Sequence, residues 1–474
     1  MTHGVFRKTV GLMACAAIVA AMAVPLAGQA QAQEEASAPK NVIVMIVDGG
    51  GFNQFLVADY YEHGETGRQP YQQGFTSLAM STYSANAKAP YDPEEAWTSF
   101  KYFNKDATDS AAAATAMATG TKTLNGVLGL DPDKNPLPNM HDAAKAAGKS
   151  MGVVTSVQLC HATPAGFIAR NEKRGNYLEI AREMILESQA DVVIGAGHPD
   201  FDANGDPVEP QSNEKKEAER FALVGGPEVW EGLKAGEVGG DANGDGVPDP
   251  WTLVETRAQF VEAAQNPPRR LLGVFQNNGT LQQDRVSASG KPEADAPFET
   301  PLLAQMPTLA ELTQAALAVL GRNEQGFFLM IEGGAVDWAC HGNQLGRTIE
   351  EMIDFNGAAA AVVAWVEANG GWDENLVVVT ADHETGYLTG PDSDPEWNDI
   401  VNNGKGEMPG AEYHSGGHTN NLVPFLVRGA GTDALVARAT KTDPRRGAYL
   451  DNTDLADVVR ELLSADAPVL AAAE

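Results

Sequence analysis

The sequence predicts an α/β protein with a doubly wound, mainly parallel central sheet and helices on both faces. Three observations carry this. Short apolar runs rich in β-branched residues, such as Asn41 to Val47 (NVIVMIV), read as strands buried on both faces. They alternate along the chain with stretches of helical period. Several end in an acid or a histidine, at the edge where open α/β sheets bind ligands.

Residues 1–32 read as a secretory signal. Arg7 and Lys8 form a basic start, Gly11 to Leu26 is small and apolar, and Ala30-Gln31-Ala32 is an A-x-A cleavage site. The short, Ala-rich run argues against the alternative, a membrane anchor. The expected location is therefore periplasmic or secreted, with residues 33–474 as the folded domain. No later apolar run is long enough to span a bilayer. The first strand, Asn41 to Val47, ends in Asp48-Gly49-Gly50-Gly51. Asp48 either points into the crevice or caps the next turn, and the glycines allow close approach. Residues 55–107 are Tyr-rich and show no clear period.

The next stretch organises the chain. Asp109 or Ser110 supplies an N-cap, Ala111 to Ala118 is helical, and Gly120 can end the helix. A serine at a helix start sits at the positive end of the dipole, where phosphate commonly binds, although many such serines only cap. Met140 to Ala147 reads as a helix and Ser150 to Ser156 as the next strand. Gly148-Lys149-Ser150 is not a P-loop, because Ala143 stands where that motif needs glycine. His161-Ala162-Thr163-Pro164 follows, then Arg174, and Asp191 to Gly195 is another short strand.

Residues 200–300 are rich in Gly, Asp, Pro and Asn and lose apolar periodicity, so they read as an insertion at the sheet's rim. Within it, Asp241, Asn243 and Asp245 match the start of a calcium loop. Thr252 stands where the bidentate Glu is expected, Asp249 is a substitute, and an Asx-rich turn is the alternative. Residues 308–320 form an amphipathic helix. Gly326 to Ile331 is a strand ending in Glu332, with Asp337 and His341 beyond it in a short loop or turn. Thr348 to Ala368 is a long helix. Asn375 to Thr380 is a strand leading to Asp382 and His383. Gly417-His418-Thr419 precedes the strand Val423 to Val427, and Asn452 starts the last helix.

Loss of residues 1–32, which hold Arg7, Lys8 and no acid, takes the formal charge from −31 to −33. Such a chain should avoid nucleic acid and anionic membranes. Its acidic surface resembles those of proteins that work in salt, which screens carboxylate repulsion over about 10 Å at 0.1 M, so halotolerance is expected. Only Cys160 and Cys340 remain, which excludes a disulfide framework and leaves one bridge open. Carboxylates converging at the strand ends would raise each other's pKa, and cations resolve this. Mixed Asp/His ligation suits zinc, and an oxygen-only set suits magnesium.

The segments Asp48-Gly-Gly-Gly, Thr108-Asp-Ser-Ala-Ala-Ala-Ala-Thr-Ala, His161-Ala-Thr-Pro, Glu332-x4-Asp337-x3-His341, Asp382-His383 and Gly417-His418-Thr419, in this order, resemble the alkaline phosphatase family. The resemblance implies an alkaline-phosphatase-like fold and an exported phosphomonoesterase working through a phosphoserine. It implies Ser110 as nucleophile, Arg174 as phosphate clamp and Asp109 as its orienter. It also implies two zinc ions and one magnesium. Asp337, His341 and His418 match the first zinc, with His414 a weaker rival to His418. Asp48, Asp382, His383 and the Ser110 oxygen match the second. Asp48, Thr163 and Glu332 match the third, magnesium, site. His161 and Trp338 stand where other members have Asp and Lys, which puts the third metal's identity in question. Small phosphate monoesters are the implied substrates, and a homodimer is a candidate assembly. The rivals are a phosphodiesterase or sulfatase of the same superfamily and an acidic calcium-dependent surface protein.

Overall fold

A computed structural model describes residues 38–210 and 213–465; the expected signal, residues 1–32, lies outside them. The central feature is an eleven-stranded sheet. In chain order its strands are β1 (Asn41–Val47), β2 (Thr76–Ser81), β3 (Ser150–Gln158), β4 (Val192–Ala196), β5 (Thr252–Val254) and β6 (Leu271–Val274). Then come β7 (Phe327–Gly333), β8 (Asn375–Ala381), β9 (Val423–Gly429), β10 (Lys441–Asp443) and β11 (Gly447–Asp451). Across the sheet they run β10-β11-β2-β9-β8-β1-β7-β3-β4-β6-β5. All neighbours from β8 to β5 are parallel, and β9 is antiparallel to both β8 and β2. The expected fold class is the one found.

Seven helices frame the sheet: α1 (Phe52–His63), α2 (Ser110–Thr119), α3 (Met140–Ala146), α4 (Leu309–Leu320), α5 (Ala335–His341), α6 (Leu345–Ala368) and α7 (Asn452–Ala465). They pack in two groups. Helices α1, α4 and α5 each pack on α6, and α7 packs on α2 and α3. Both α3 and α4 lie against β3 and β7, so the groups take opposite faces. A strand covered on both sides has no polar face, which is why every residue of β1 is buried.

Register aligns the chemistry. Val47, the last residue of β1, pairs with Gly333 of β7 and Ala381 of β8. Thr155 of β3 pairs with Glu332. Asp48, Glu332 and Asp382 therefore leave the sheet side by side. Gly49 has φ +75°, and a Cβ there would stand 2.7 Å from the Asp337 backbone. Only glycine lets β1 turn so close to α5.

Two expectations need correction, and two open readings gain detail. Residues 200–300, read as an insertion at the sheet's rim, supply β5 and β6 at one end of the parallel sheet. Arg270, 2% exposed, holds this segment. Its guanidinium donates to the carbonyls of Ala190, Gly240, Asp249 and Ser188 and stacks 3.5 Å from the Trp251 ring. The aperiodic stretch 55–107 contains most of α1 and all of β2. Asp337 and His341 lie on helix α5 rather than in a loop, and their i,i+4 spacing puts both on one face. Cys160 and Cys340 are free and buried. Cys160 meets the Leu223 carbonyl, whereas Cys340 lies between the Thr348 and Tyr413 hydroxyls. Burial pushes both thiols up to about 12.

The loop whose sequence left calcium binding and an Asx-rich turn as alternatives is turned inward on itself. The Asp241 carboxylate accepts the N–H groups of Gly244, Asp245 and Gly246, and the N–H of Gly246 is the main cause of its lowered pKa. Asp249 accepts the Ala242 N–H and pairs with Arg269. This is an Asx-turn arrangement, and no metal-binding grouping among the described residues includes the loop.

Candidate active site and metal centre

Asp109 is the N-cap of α2. Its Oδ1 accepts the Ala112 N–H, and its Oδ2 accepts the Gly126 N–H and Arg174 Nη1 at 3.1 Å. Ser110 is therefore the first helical residue, 1% exposed, at the positive end of the helix. Its Oγ lies 3.2 Å from His383 Nε2. Arg174 is held by Asp109, and its other arm, Nη2, lies 3.3 Å from His161 Nε2. A guanidinium only donates, so His161 Nε2 accepts.

Three groupings of metal-capable side chains surround Ser110. Asp337, His341 and His418 form the first, Asp48, Asp337 and His383 the second, and Asp48, His161 and Glu332 the third. Asp382 adds to the second, with Oδ2 3.1 Å from His383 Nε2. Thr163 adds to the third and donates to Asp48 Oδ2 at 3.4 Å. The structure thus gathers all the expected ligand residues. His414 lies elsewhere, against Thr389 and the Phe100 ring.

The donor atoms fit cations. In the first grouping, His341 Nδ1 sits 2.7 Å from the Gly416 carbonyl and His418 Nδ1 2.9 Å from the Thr108 carbonyl. A carbonyl only accepts, so each Nδ1 carries hydrogen and each neutral ring presents a lone pair at Nε2. Those two Nε2 atoms face each other at 3.1 Å, with Asp337 oxygens 3.3 and 3.5 Å away. Lone pairs this close need a positive charge between them. A proton meets part of the demand, since hydrogen bonding to Asp337 raises His341 to about 9. Asp337 is buried, yet its histidine neighbours hold its pKa well below the ordinary carboxylate value.

In the second grouping the Thr385 hydroxyl fixes the tautomer. It donates to Asp337 Oδ1 at 2.6 Å, so at its 3.3 Å contact the His383 Nδ1–H must donate to it. His383 Nε2 then presents a lone pair toward Ser110, Asp382 and Asp48. Burial, its largest cause, lowers His383 well below its ordinary value, so the ring is neutral.

The carboxylates carry the opposite strain. Asp48 Oδ1 and Glu332 Oε1 are buried without hydrogen-bond partners. Burial, followed by Asp382, Asp337 and Glu332, raises Asp48 well above its usual range. Burial likewise raises Glu332 to about 7 and Asp382 to about 8. Buried acids left protonated or unpaired are what a cation would relieve. At the third grouping, burial and Arg174 lower His161 to about 3, leaving it neutral, with the Trp338 ring 5.9 Å away.

Sequence reasoning missed Thr385 and Thr155, whose hydroxyl donates to Glu332 Oε2. Thr385 had no local signal, since its partner Asp337 lies 48 positions away. Thr155 had none without the β3–β7 register.

A family model described as alkaline phosphatase matches residues 39–427 of the chain. The chain belongs to the alkaline phosphatase family. Alkaline phosphatase 4 of Bacillus subtilis is 28% identical over 398 residues, 80% of this chain and 71% of the relative. Alkaline phosphatase of Escherichia coli is 28% identical over 449 residues, 85% of this chain and 84% of the relative. Alkaline phosphatase H of Pseudomonas aeruginosa is 31% identical over 366 residues, 73% and 69%. The fold matches that of the alkaline phosphatase from the Antarctic bacterium TAB5 with TM-score 0.59 and 23% identity, covering 91% of this chain and 99% of that one. The Thermus thermophilus alkaline phosphatase gives TM-score 0.60 and 22% identity, covering 94% and 95%. By membership, the phosphatase is a metal-binding hydrolase of phosphate monoesters. No helix among the described residues is long and apolar enough to cross a membrane.

Proposed function

We propose that the chain is an exported phosphatase that hydrolyses phosphate monoesters through a phosphoserine formed on Ser110. The observation that carries this is the placement of a buried serine at a helix N-terminus, 3.2 Å from His383 Nε2, beside an arginine held by Asp109. Asp337, His341 and His418 would hold one zinc. Asp48, Asp382, His383 and the Ser110 oxygen would hold a second. Asp48, Thr163 and Glu332 would hold magnesium, with His161 beside it. Bound there, divalent cations supply charge neutralisation for phosphate oxygens and lower the pKa of hydroxyl groups.

The residues do the rest. Asp109 fixes the Arg174 fork, which can hold two nonbridging phosphate oxygens. The N-terminus of α2 adds its dipole to the same anion. Ser110 gives up its hydroxyl proton to solvent and attacks phosphorus in line, and the leaving oxygen departs on the opposite side and takes up a proton from solvent, so none is gained or lost. Water then attacks phosphoserine and restores the Ser110 hydroxyl. A phosphate monoester brings three nonbridging oxygens and two negative charges to these donors, a diester brings two oxygens and one charge, and a sulfate ester brings three oxygens but only one charge. Monoester kcat/KM should therefore exceed that for diesters and sulfate esters by about a hundredfold or more. Equal turnover of a diester or sulfate ester by the metal-loaded protein would favour the rival chemistries.

Export rests on residues 1–32, and sequencing of the mature protein should begin near Gln33. An intact Met1 on active protein would defeat it. A homodimer and salt tolerance remain part of this proposal, the latter on the formal charge of −31.

The third site carries its own expectation. A neutral imidazole in place of a carboxylate removes negative charge that favours magnesium and offers nitrogen to a softer metal. Activity should rise on adding magnesium and fall with excess zinc. His161→Asp should raise magnesium affinity and reduce zinc inhibition, whereas identical titrations would remove His161 from this role. A His-to-Asp variant of the TAB5 phosphatase has been solved with magnesium in its M3 site, in keeping with this.

A further inference from the structure

A second cavity, of about 210 Å³, lies apart from the residues grouped around Ser110. Phe52, Tyr91, Trp97, Trp397, Arg445 and Arg446 dominate its lining. The Arg445 guanidinium lies 4.3 Å from the Trp97 ring and 5.4 Å from that of Trp397. The Arg446 guanidinium lies 4.2 Å from the Phe52 ring. Among the described residues neither guanidinium has an ion pair or a hydrogen bond, and their contacts are with ring faces.

The nearby acid, Asp443, offsets part of the Arg446 charge but gives neither guanidinium a hydrogen bond. Asp443 is 1% exposed and already accepts four donors: Tyr91 Oη, Trp97 Nε1 and the N–H groups of Arg445 and Arg446. Glu384, also in the lining, is consumed in the same way by Gln54, Thr419 and the N–H groups of Tyr387 and Leu388. Asp399 is the remaining acid of the lining and is exposed. Burial lowers the Arg446 pKa, the mark of a cation that has lost water without full compensation. On the same wall, Gln54 is fully buried and its Oε1 has no partner.

We infer that this cavity binds a monocyclic aromatic anion, its ring lying beside the edge-to-face Trp97–Trp397 pair, against the aromatic side chains of the lining, and its charge on Arg445 and Arg446. The indole centroids are 5.7 Å apart at 60°, forming an angled aromatic corner. The volume suffices, since a cavity of about 150 Å³ accepts benzene. An uncharged arene would leave the half-buried Arg446 guanidinium without a hydrogen-bonding anion, and a bare inorganic anion would leave the aromatic walls bare. Arginine suits both parts, because its plane stacks on rings while its edge forks to an oxyanion. The inference goes beyond the proposed phosphatase chemistry and does not depend on it.

Benzoate is the probe. Calorimetric titration of the metal-loaded protein should give one binding site, with quenching of tryptophan fluorescence. Inorganic phosphate at saturation should leave that affinity unchanged, because benzoate is not expected at the catalytic centre. Benzyl alcohol, similar in shape without the charge, should bind about tenfold more weakly or worse. Arg446→Met should weaken benzoate about tenfold or more and Arg446→Lys less, with monoester kcat/KM held within about twofold. The Arg446 comparison is made with and without phosphate, so it stands wherever phosphate binds. The inference falls if benzoate fails to bind, as it would were a second copy of the chain to fill the cavity. It also falls if benzyl alcohol matches benzoate, if phosphate displaces benzoate, or if both Arg446 variants bind like wild type.

Discussion

Replacing Ser110 with alanine should lower kcat by about a thousandfold or more while leaving the metals in place. The hydroxyl is the one group near Arg174 able to form a covalent bond to phosphorus from the start of α2. Asp109 would still cap the helix through Ala112, so the backbone keeps its shape. The buried oxygen has one recorded partner, His383 Nε2, and its loss should change stability by no more than about 1 kcal/mol. Asp48, Asp382 and His383 would remain to hold the proposed second metal. Acid quenching of the wild type during turnover, followed by peptide mass analysis, should find phosphate on Ser110. Phosphate on another residue, or full activity in Ser110→Ala, would reject the assignment. A variant that is inactive and also stripped of metal would point to a role in metal retention rather than in bond formation.

The parts of this site legible in the sequence are those set by short-range rules. A strand buried on both faces must be apolar throughout, so β1, β3, β7 and β8 stand out, and the residues following them locate the crevice. Asp109 and Ser110 stand out because a cap must precede an alanine-rich helix. The edge strand β5 and its neighbour β6, of three and four residues, are too short to show a pattern. Their place is set by Arg270 reaching four carbonyls from elsewhere in the chain. Helix α1 escaped notice because its buried positions include Gln54 and Asp59, polar groups whose hydrogen bonds go outside the helix, to Glu384 and Gln72. The same holds for Thr385. Its value lies in joining Asp337, 48 positions earlier, to the His383 ring, and no local pattern encodes that pairing.

Removal of metal should abolish activity and leave a folded state that weakens as pH rises from 6.5 to 8. Loss of a ligand held at about a thousand times its Kd costs about 4 kcal/mol, so the unfolding midpoint should drop on chelation. The pH dependence follows from the groups left behind. Folding raises Glu332 to about 7 and Asp382 to about 8, mainly through burial, and hydrogen bonding to Asp337 raises His341 to about 9. Each holds a proton in the folded chain at pH values where the unfolded chain has released it. Their stabilising protonation is complete below the unfolded pKa and is lost as pH passes the folded one. His161, His383 and His418 are shifted down, mainly by burial, and act in the opposite direction. Their effect is confined to pH below about 6.5, where the unfolded rings take up protons. Above that value only the destabilising slope remains. In the metal-loaded protein, cations replace those protons and the slope should be much smaller. Thermal unfolding of the loaded and chelated protein between pH 6.5 and 8 measures this directly. The stability gap should widen with pH. A chelated protein that gains stability over this range, or matches the loaded one throughout, would show that these carboxylates and histidines are not the metal-binding set.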